Sequence, residues 1–198
     1  STPWWRWPVP LPDALADIAD RIVGFYDRRS TPPFLVYQYE PSDEYAVRKE
    51  LFELKRWLKA KHDIGCQTIS LAEVFWEALE EHGQLDMVIE AEQAGAYADA
   101  QLAVRQVLAS PPTLADRIVR RVAERGDERE AIFLYRAGAL YPAHRTSPLL
   151  DVLKDKVDRP VTMLYPGRIV GDYGLSFMGK AEPAYGYRAL IVPRGGRK

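Results

Sequence analysis

The sequence has little of what several classes of protein require. It contains one cysteine, Cys66, which excludes an internal disulfide framework and a zinc site built from several thiolates. No run of about 18 apolar residues is available to cross a bilayer, and the first residues lack the basic and then apolar order of a signal peptide. We therefore expect a cytoplasmic protein that does not associate with a membrane.

A strong charge of either sign is also missing. Lys and Arg number 27 against 28 Asp and Glu, so the formal net charge is −1 and no global field attracts the protein to nucleic acid. The 198 residues suffice for one domain with its own core. We expect a Pro/Trp-rich arm and short helix over 1–33, an α/β domain over 34–192 and a basic tail over 193–198.

Short apolar runs alternate with segments of helical periodicity. The sequence predicts buried strands at 34–39, 67–69, 131–135, 161–165 and 187–192. It predicts helices over 13–28, 41–61, 70–79, 86–109, 113–125 and around 149–153. Because a strand is twice followed by a helix, we expect right-handed crossovers. The predicted fold is α/β, with a mostly parallel sheet of about five strands, helices on both faces and a helical insertion in the middle of the chain.

A loop with glycine and proline follows the third predicted strand, over 136–147. Open α/β folds tend to bind ligands where such loops leave the carboxyl edge of the sheet. Arg136 and Arg145 would lie there beside a helix N-terminus, and together they could hold a phosphate or carboxylate. The alternative is that both arginines pair with carboxylates such as Asp151 or Asp172 and only fix the loop.

A second loop is predicted after the fourth strand, over 165–175. Tyr165-Pro166-Gly167 is typical of a turn, because Pro fixes φ and Gly permits a positive φ. If both loops leave parallel strands at one edge, Arg145 and Asp172 can face one another.

The residues of these two segments resemble a known family. The resemblance rests on Phe133-Leu134, Gly138, Pro142, Arg145, Leu149-Leu150, Pro160-Val161, Tyr165-Pro166-Gly167, Gly171, Leu175-x-Phe177 and Tyr185-x-Tyr187-Arg188-Ala189. This order resembles the BrxB family, a domain of unknown function encoded in bacteriophage exclusion (BREX) loci. The match is specific over about 130–190 and looser over 34–80.

The resemblance implies a subunit of a multi-protein anti-phage defence system. Its partners would be other BREX components, above all PglZ, an alkaline-phosphatase-superfamily protein. The family supplies no catalytic residue to carry over. Candidate binding positions are therefore the motif residues and their neighbours in the two loops: Arg136, Gly138, Pro142, Arg145, Tyr165, Pro166, Gly167 and Asp172.

Independent signs of chemistry are weak. Neither standard nucleotide-binding loop is present, and His62, His82 and His144 lie far apart in the sequence. His62 and His82 are predicted at helix ends. Cys66 has no sequence-adjacent base to lower its pKa, so packing is the simpler role. We predict no catalytic residue, no metal site and no cofactor, and leave an enzymatic role open.

Two further segments are candidates for partner contact. The predicted helix over 116–129 carries Arg117, Arg120, Arg121 and Arg125, which makes DNA contact possible, although interleaved acids are expected to pair with these arginines along the helix. Trp4, Trp5 and Trp7 lie in the proline-rich arm, and clustered Trp marks protein interfaces. The alternative is that the arm folds back onto its own domain.

These observations predict a non-enzymatic interaction subunit of a BREX-type system that binds a PglZ-like partner. The alternative function is a phosphate- or nucleic-acid-recognising module, nuclease-like in character, that uses a loop-borne Arg/Asp cluster.

Overall fold

The computed structural model describes residues 10–141, 146–171, 174–177 and 189–196 of the chain. The α-helices are α1 (Asp13–Arg28), α2 (Glu44–His62), α3 (Leu71–Glu81), α4 (Leu85–Gln93), α5 (Tyr97–Ala109), α6 (Leu114–Arg125) and α7 (Thr146–Lys154). The strands are β1 (Phe34–Tyr39), β2 (Gly65–Ser70), β3 (Glu130–Tyr135), β4 (Val161–Val170), β5 (Gly174–Phe177) and β6 (Leu190–Pro193). Two 3-10 turns lie at Pro41–Asp43 and Ala137–Leu140.

One sheet organises the molecule. Its strand order is β2-β3-β4-β1-β6, and β5 pairs with β4 outside this path. Neighbours along the path are parallel, whereas β4 and β5 are antiparallel. The prediction of an α/β fold with a mostly parallel sheet is confirmed.

Helices cover both faces of this sheet, as the sequence predicts. Side chains of a strand alternate between its faces, and in β1 Val36 belongs to one apolar cluster while Leu35 and Tyr37 belong to the other. The first cluster includes buried residues of α3, α5, α6 and α7. The second includes those of α1 and α2. In α2, for example, the buried residues Val47, Leu51, Leu54 and Leu58 form one apolar face of the helix.

The helical segment predicted over 86–109 consists of two helices, α4 and α5. The break falls at Gly95, whose φ of 75° ends α4 in a left-handed conformation that glycine adopts without strain. The next helix, α6, begins with a capping box in which Thr113 and Asp116 exchange hydrogen bonds between side chain and backbone. The sequence Thr113-Leu114-Ala115-Asp116 predicts a helix cap by itself, and the structure confirms it.

The turn predicted at Tyr165-Pro166-Gly167 was wrong. These residues continue β4, which extends to Val170 instead of ending near Tyr165. Pro166 is the last residue of β4 to pair with β1, and Gly167 begins the pairing with β5. A proline is tolerated where the parallel ladder ends. A Cβ on Gly167 would lie 2.4 Å from the Ser176 carbonyl oxygen, so glycine is required for close approach to β5 and not for a positive φ.

Smaller differences concern the ends of elements. Pro41 starts a 3-10 turn that precedes α2, and β6 begins at Leu190. The sequence does not predict β5, whose four residues are too short for a clear alternating pattern. None of the described helices has both the length and the apolar character needed to cross a bilayer.

Candidate docking site at the carboxyl end of the sheet

The two segments singled out by the sequence leave the sheet at one rim. β3 and β4 are parallel neighbours with Leu134 opposite Met163, so the chain after Tyr135 and the chain after Tyr165 emerge side by side. We call the residues from Arg136 to Leu140, together with the extension of β4 and its partner β5, the carboxyl rim. The predicted site residues Pro142, Arg145 and Asp172 lie outside the described residues.

Arg136 occupies an unusual backbone position at this rim. Its φ and ψ of 58° and 36° are left-handed, which non-glycine residues adopt at a cost. The strain turns the chain sharply from β3 into the 3-10 turn, where Ala137 and Leu140 are buried against the core. The Arg136 side chain is exposed. Among the described residues it has no ion-pair partner, so pairing with Asp151 is not observed.

The Tyr165-Pro166-Gly167 motif has a structural role. Tyr165 is 1% exposed and belongs to the main apolar cluster. The buried Gln38 side chain donates from Nε2 to the Gly167 carbonyl oxygen over 2.7 Å. Together these residues fix the antiparallel β4–β5 ribbon at the rim.

The ribbon presents two exposed side chains. Arg168 donates from Nε to Glu40 Oε2 over 3.2 Å, and both side chains remain largely in water. Ile169 is 40% exposed although it is a large apolar residue. An exposed isoleucine flanked by arginine is typical of a protein-contact surface.

A polar cluster that sequence reasoning missed ties β6 to α2 beside the rim. Arg194 contacts Glu50 through Nε (3.0 Å) and Nη2 (2.8 Å), and Asp43 through Nη1 (2.9 Å). The Tyr37 hydroxyl donates to Glu50 Oε2 over 2.8 Å. Burial, and then this hydrogen bond, raise the pKa of Tyr37 far above its usual value. Arg194 and Asp43 are 151 residues apart in the sequence, so no local sequence pattern predicts the cluster.

A second tyrosine, two residues further along β1, makes a similar hydrogen bond to a glutamate. The Tyr39 hydroxyl donates to Glu44, which also receives a hydrogen bond from Arg48 Nε over 3.1 Å. Burial, followed by the hydrogen bond to Glu44, strongly raises the pKa of Tyr39. Both tyrosines are therefore neutral hydrogen-bond donors at physiological pH.

His144 lies outside the described residues. The other titratable residues considered as nucleophiles or metal ligands do not form a reactive group within the described residues. Burial raises the pKa of the Cys66 thiol to about 12, and the side chain packs beside the second apolar cluster. His62 ends α2, and His82 follows α3 with Nδ1 3.0 Å from the Ala78 carbonyl oxygen. Within 10–141, 146–171, 174–177 and 189–196, no three His, Cys, Asp or Glu side chains are grouped as metal ligands.

Two arginines of the arginine-rich helix α6 pair with glutamates of α3. Arg117 is 6% exposed and contacts Glu81 through Nη1 at 2.6 Å. Arg121 contacts Glu77 through Nη2 at 2.5 Å.

The expectation that interleaved acids would pair with these arginines is met in part. Arg125 contacts Glu130 at 3.7 Å, whereas the other two paired arginines contact glutamates of α3 instead. Arg120 is exposed and has no ion pair in the described part of the chain, so it is the one arginine of this set with an uncompensated charge there, which is little for binding DNA.

The protein is thus an α/β protein with one mostly parallel sheet, and the Tyr165-Pro166-Gly167 motif lies at the carboxyl rim of that sheet. A family model described as "BREX protein BrxB" matches residues 67–192. The chain therefore belongs to the BrxB family and is a component of a BREX phage-defence system. A curated relative, BREX protein BrxB of Bacillus cereus (strain H3081.97), is 29% identical over 158 residues, which cover 79% of this chain and 81% of the relative. No solved structure matches.

Proposed function

We propose that this protein is a non-enzymatic interaction subunit that binds a PglZ-like protein of its BREX system through the carboxyl rim. The observation that carries the proposal is the Arg136 side chain, which is exposed and unpaired among the described residues although a strained backbone fixes its position. Strained residues are retained where the position of a side chain matters. Arginine is also among the residues that contribute most to protein interfaces.

The rim offers further contacts of the kind that protein interfaces use. The β4–β5 ribbon adds Ile169 as an apolar contact and Arg168 as a second guanidinium. Because the Tyr165-Pro166-Gly167 motif fixes this ribbon, these family residues support the surface from within. We propose, from the sequence motif alone, that Arg145, Pro142 and Asp172 also take part in binding the partner.

The test is co-purification of the full chain with the PglZ-like protein encoded in the same locus. We expect a stable complex with a Kd of about 1 μM or tighter, as interfaces of standard size provide. Arg136→Glu should weaken binding about tenfold or more, which is typical for loss of an interface arginine. Arg105→Glu is the matched control, because Arg105 is an exposed arginine of α5 without a described ion pair and is not among the residues that define the rim.

A second set of variants tests the amino-terminal arm. We propose that Trp4, Trp5 and Trp7 add contacts to the same partner, and replacing all three by Ala should weaken the complex while leaving the melting temperature unchanged. No complex at about 10 μM of each protein would contradict the proposed function, since functional subunit interfaces are stable at that concentration.

A further inference from the structure

The edge of the sheet formed by β2 is a surface separate from the carboxyl rim. β2 is the first strand of the order β2-β3-β4-β1-β6 and pairs only with β3 among the described strands. Proteins usually protect such edges with proline or charged residues in the edge strand. The strand Gly65–Ser70 reads GCQTIS and contains neither. In the described part of the chain, no strand pairs with its outer edge and no proline or charged residue within β2 blocks that edge.

The register identifies the backbone groups that face outward. Gly65 donates its N–H to the Arg129 carbonyl oxygen over 3.0 Å, toward β3. Successive residues of a parallel strand direct their N–H and C=O groups to alternate sides. Gly65, Gln67 and Ile69 therefore bond β3, while Cys66 and Thr68 direct theirs away from the sheet.

A groove of about 530 Å³ runs along this edge, between β2 and the helices α3 and α6. Three successive residues, Gln67, Thr68 and Ile69, line it. Because successive side chains of a strand point to opposite faces, we infer that a groove lined by all three follows the strand edge. The groove has the position that an added strand would occupy.

The charged side chains and the unpartnered polar atoms beside the groove indicate which kind of ligand it would bind. Four arginines line it against three glutamates. Of these arginines, Arg120 is exposed and has no ion pair among the described residues. Arg117 Nη2 and Gln67 Oε1 are buried without a hydrogen-bond partner in the described part of the chain. An occupant that supplies acceptors for guanidinium groups and an N–H donor matches these groups, and a peptide backbone with carboxylate side chains supplies both.

We propose that the open edge of β2 and the arginine groove beside it bind an extended, acidic segment of a partner protein by strand addition. The segment pairs its backbone with Cys66 and Thr68 and directs carboxylates to the α6 arginines, above all Arg120. Backbone pairing supplies affinity and the side-chain contacts supply selectivity. The surface is distinct from the carboxyl rim, so its test is independent of the proposed function.

The probe is a fluorescein-labelled eight-residue peptide of alternating Glu and Val, measured by fluorescence anisotropy with the full chain. We expect saturable binding, and at least roughly tenfold weaker binding of the same peptide with Lys in place of Glu. In NMR spectra the amide signals of Cys66 and Thr68 should shift and exchange more slowly with solvent on peptide addition. The amides of Gln67 and Ile69, which already bond β3, should change less.

Two pairs of variants refine the test. Thr68→Pro removes an outward N–H that the sheet does not use, and should weaken peptide binding about tenfold. Arg120→Glu should weaken it severalfold, and the matched Arg105→Glu should not, since both change the same charge on an exposed helix position. If Thr68→Pro fails to fold, the amide shifts of the unsubstituted protein still decide the question.

Several outcomes would overturn the inference. One is absence of binding by the acidic peptide, and another is amide shifts that leave Cys66 and Thr68 unaffected. A labelled DNA duplex that binds more tightly at equal salt and displaces the peptide would assign the groove to nucleic acid instead. Concentration-dependent dimers abolished by Thr68→Pro would show that a second copy of this chain occupies the edge.

Discussion

At the scale of single residues, Tyr37 and Tyr39 couple the fold to pH. Their hydroxyls are buried and donate to Glu50 and Glu44, so their pKa values in the folded protein lie well above the value of about 10 in an unfolded chain. Between these two values the unfolded state releases a proton that the folded state retains. The contribution of these two tyrosines to the free energy of unfolding is therefore fully present below about pH 10, and it decreases as the pH rises above that value.

The prediction follows from the same two residues. The variant Tyr37→Phe, Tyr39→Phe should lose less stability between pH 8 and pH 11 than the unsubstituted protein, because these two positions then carry no phenol to ionise. Urea unfolding at each pH gives the comparison. The variant also loses two hydrogen bonds, which changes its stability at every pH. The comparison therefore uses the slope of the free energy of unfolding against pH and not its absolute value. Parallel slopes would show that other groups determine the alkaline transition.

The roles of single residues were predictable from the sequence where they depend only on neighbouring residues. Thr113 was predicted as a helix cap from four consecutive residues, and the helix-end positions of His62 and His82 follow from neighbouring periodicity. It failed for Arg194, because its partners Glu50 and Asp43 are distant in sequence. The expected meeting of Arg145 and Asp172 stays a prediction.

At the scale of elements, the β4–β5 ribbon depends on Gly167. An added Cβ would lie 2.4 Å from a backbone oxygen of β5 and 2.5 Å from the Tyr165 ring. The backbone oxygen cannot move without breaking the ribbon. Gly167→Ala should therefore lower the free energy of unfolding by about 2–3 kcal/mol, as overpacking of a dense interior does.

The control for this variant is Gly195→Ala. No heavy atom lies within 4 Å of a Cβ at Gly195, so we expect a change within about 0.5 kcal/mol. Urea midpoints of the two variants provide the measurement. Similar midpoints for both would mean that the ribbon yields freely, and the motif would then need an explanation other than close packing.

The elements themselves were largely predictable, whereas their ends were not. Continuous apolar runs gave β1 and β3, and strong helical periodicity gave α1 and α6. The extension of β4 was missed because Pro166-Gly167 is the usual chemistry of a turn. Only the tertiary partners β1 and β5 make these residues extended.

At the scale of the whole molecule, one sheet joins two apolar clusters. Leu54 of α2 is 1% exposed in one cluster, and Leu79 of α3 is fully buried in the other. Because every central strand contributes side chains to both clusters, loss of either one removes support from the same strands. The two faces should therefore unfold together.

Leu54→Ala and Leu79→Ala test this coupling. Each should lower the free energy of unfolding by about 2–5 kcal/mol, the usual effect of a cavity in a core. Unfolding followed by circular dichroism and by tryptophan fluorescence should give coincident single transitions in both variants. Two separated transitions in either variant would indicate that the faces of the sheet are independent units.

The position of β1 in the sheet also has a consequence for synthesis on the ribosome. β1 lies between β4 and β6, and its neighbours in the sheet begin only at Val161 and Leu190. At translation rates of about 5–20 residues per second, the apolar segment Phe34–Tyr39 waits several seconds or longer for the strands that will flank it. During that interval the nascent chain exposes an apolar segment that is prone to aggregate. We therefore expect the yield of folded protein in the cell to fall when chaperones that shield such segments are depleted.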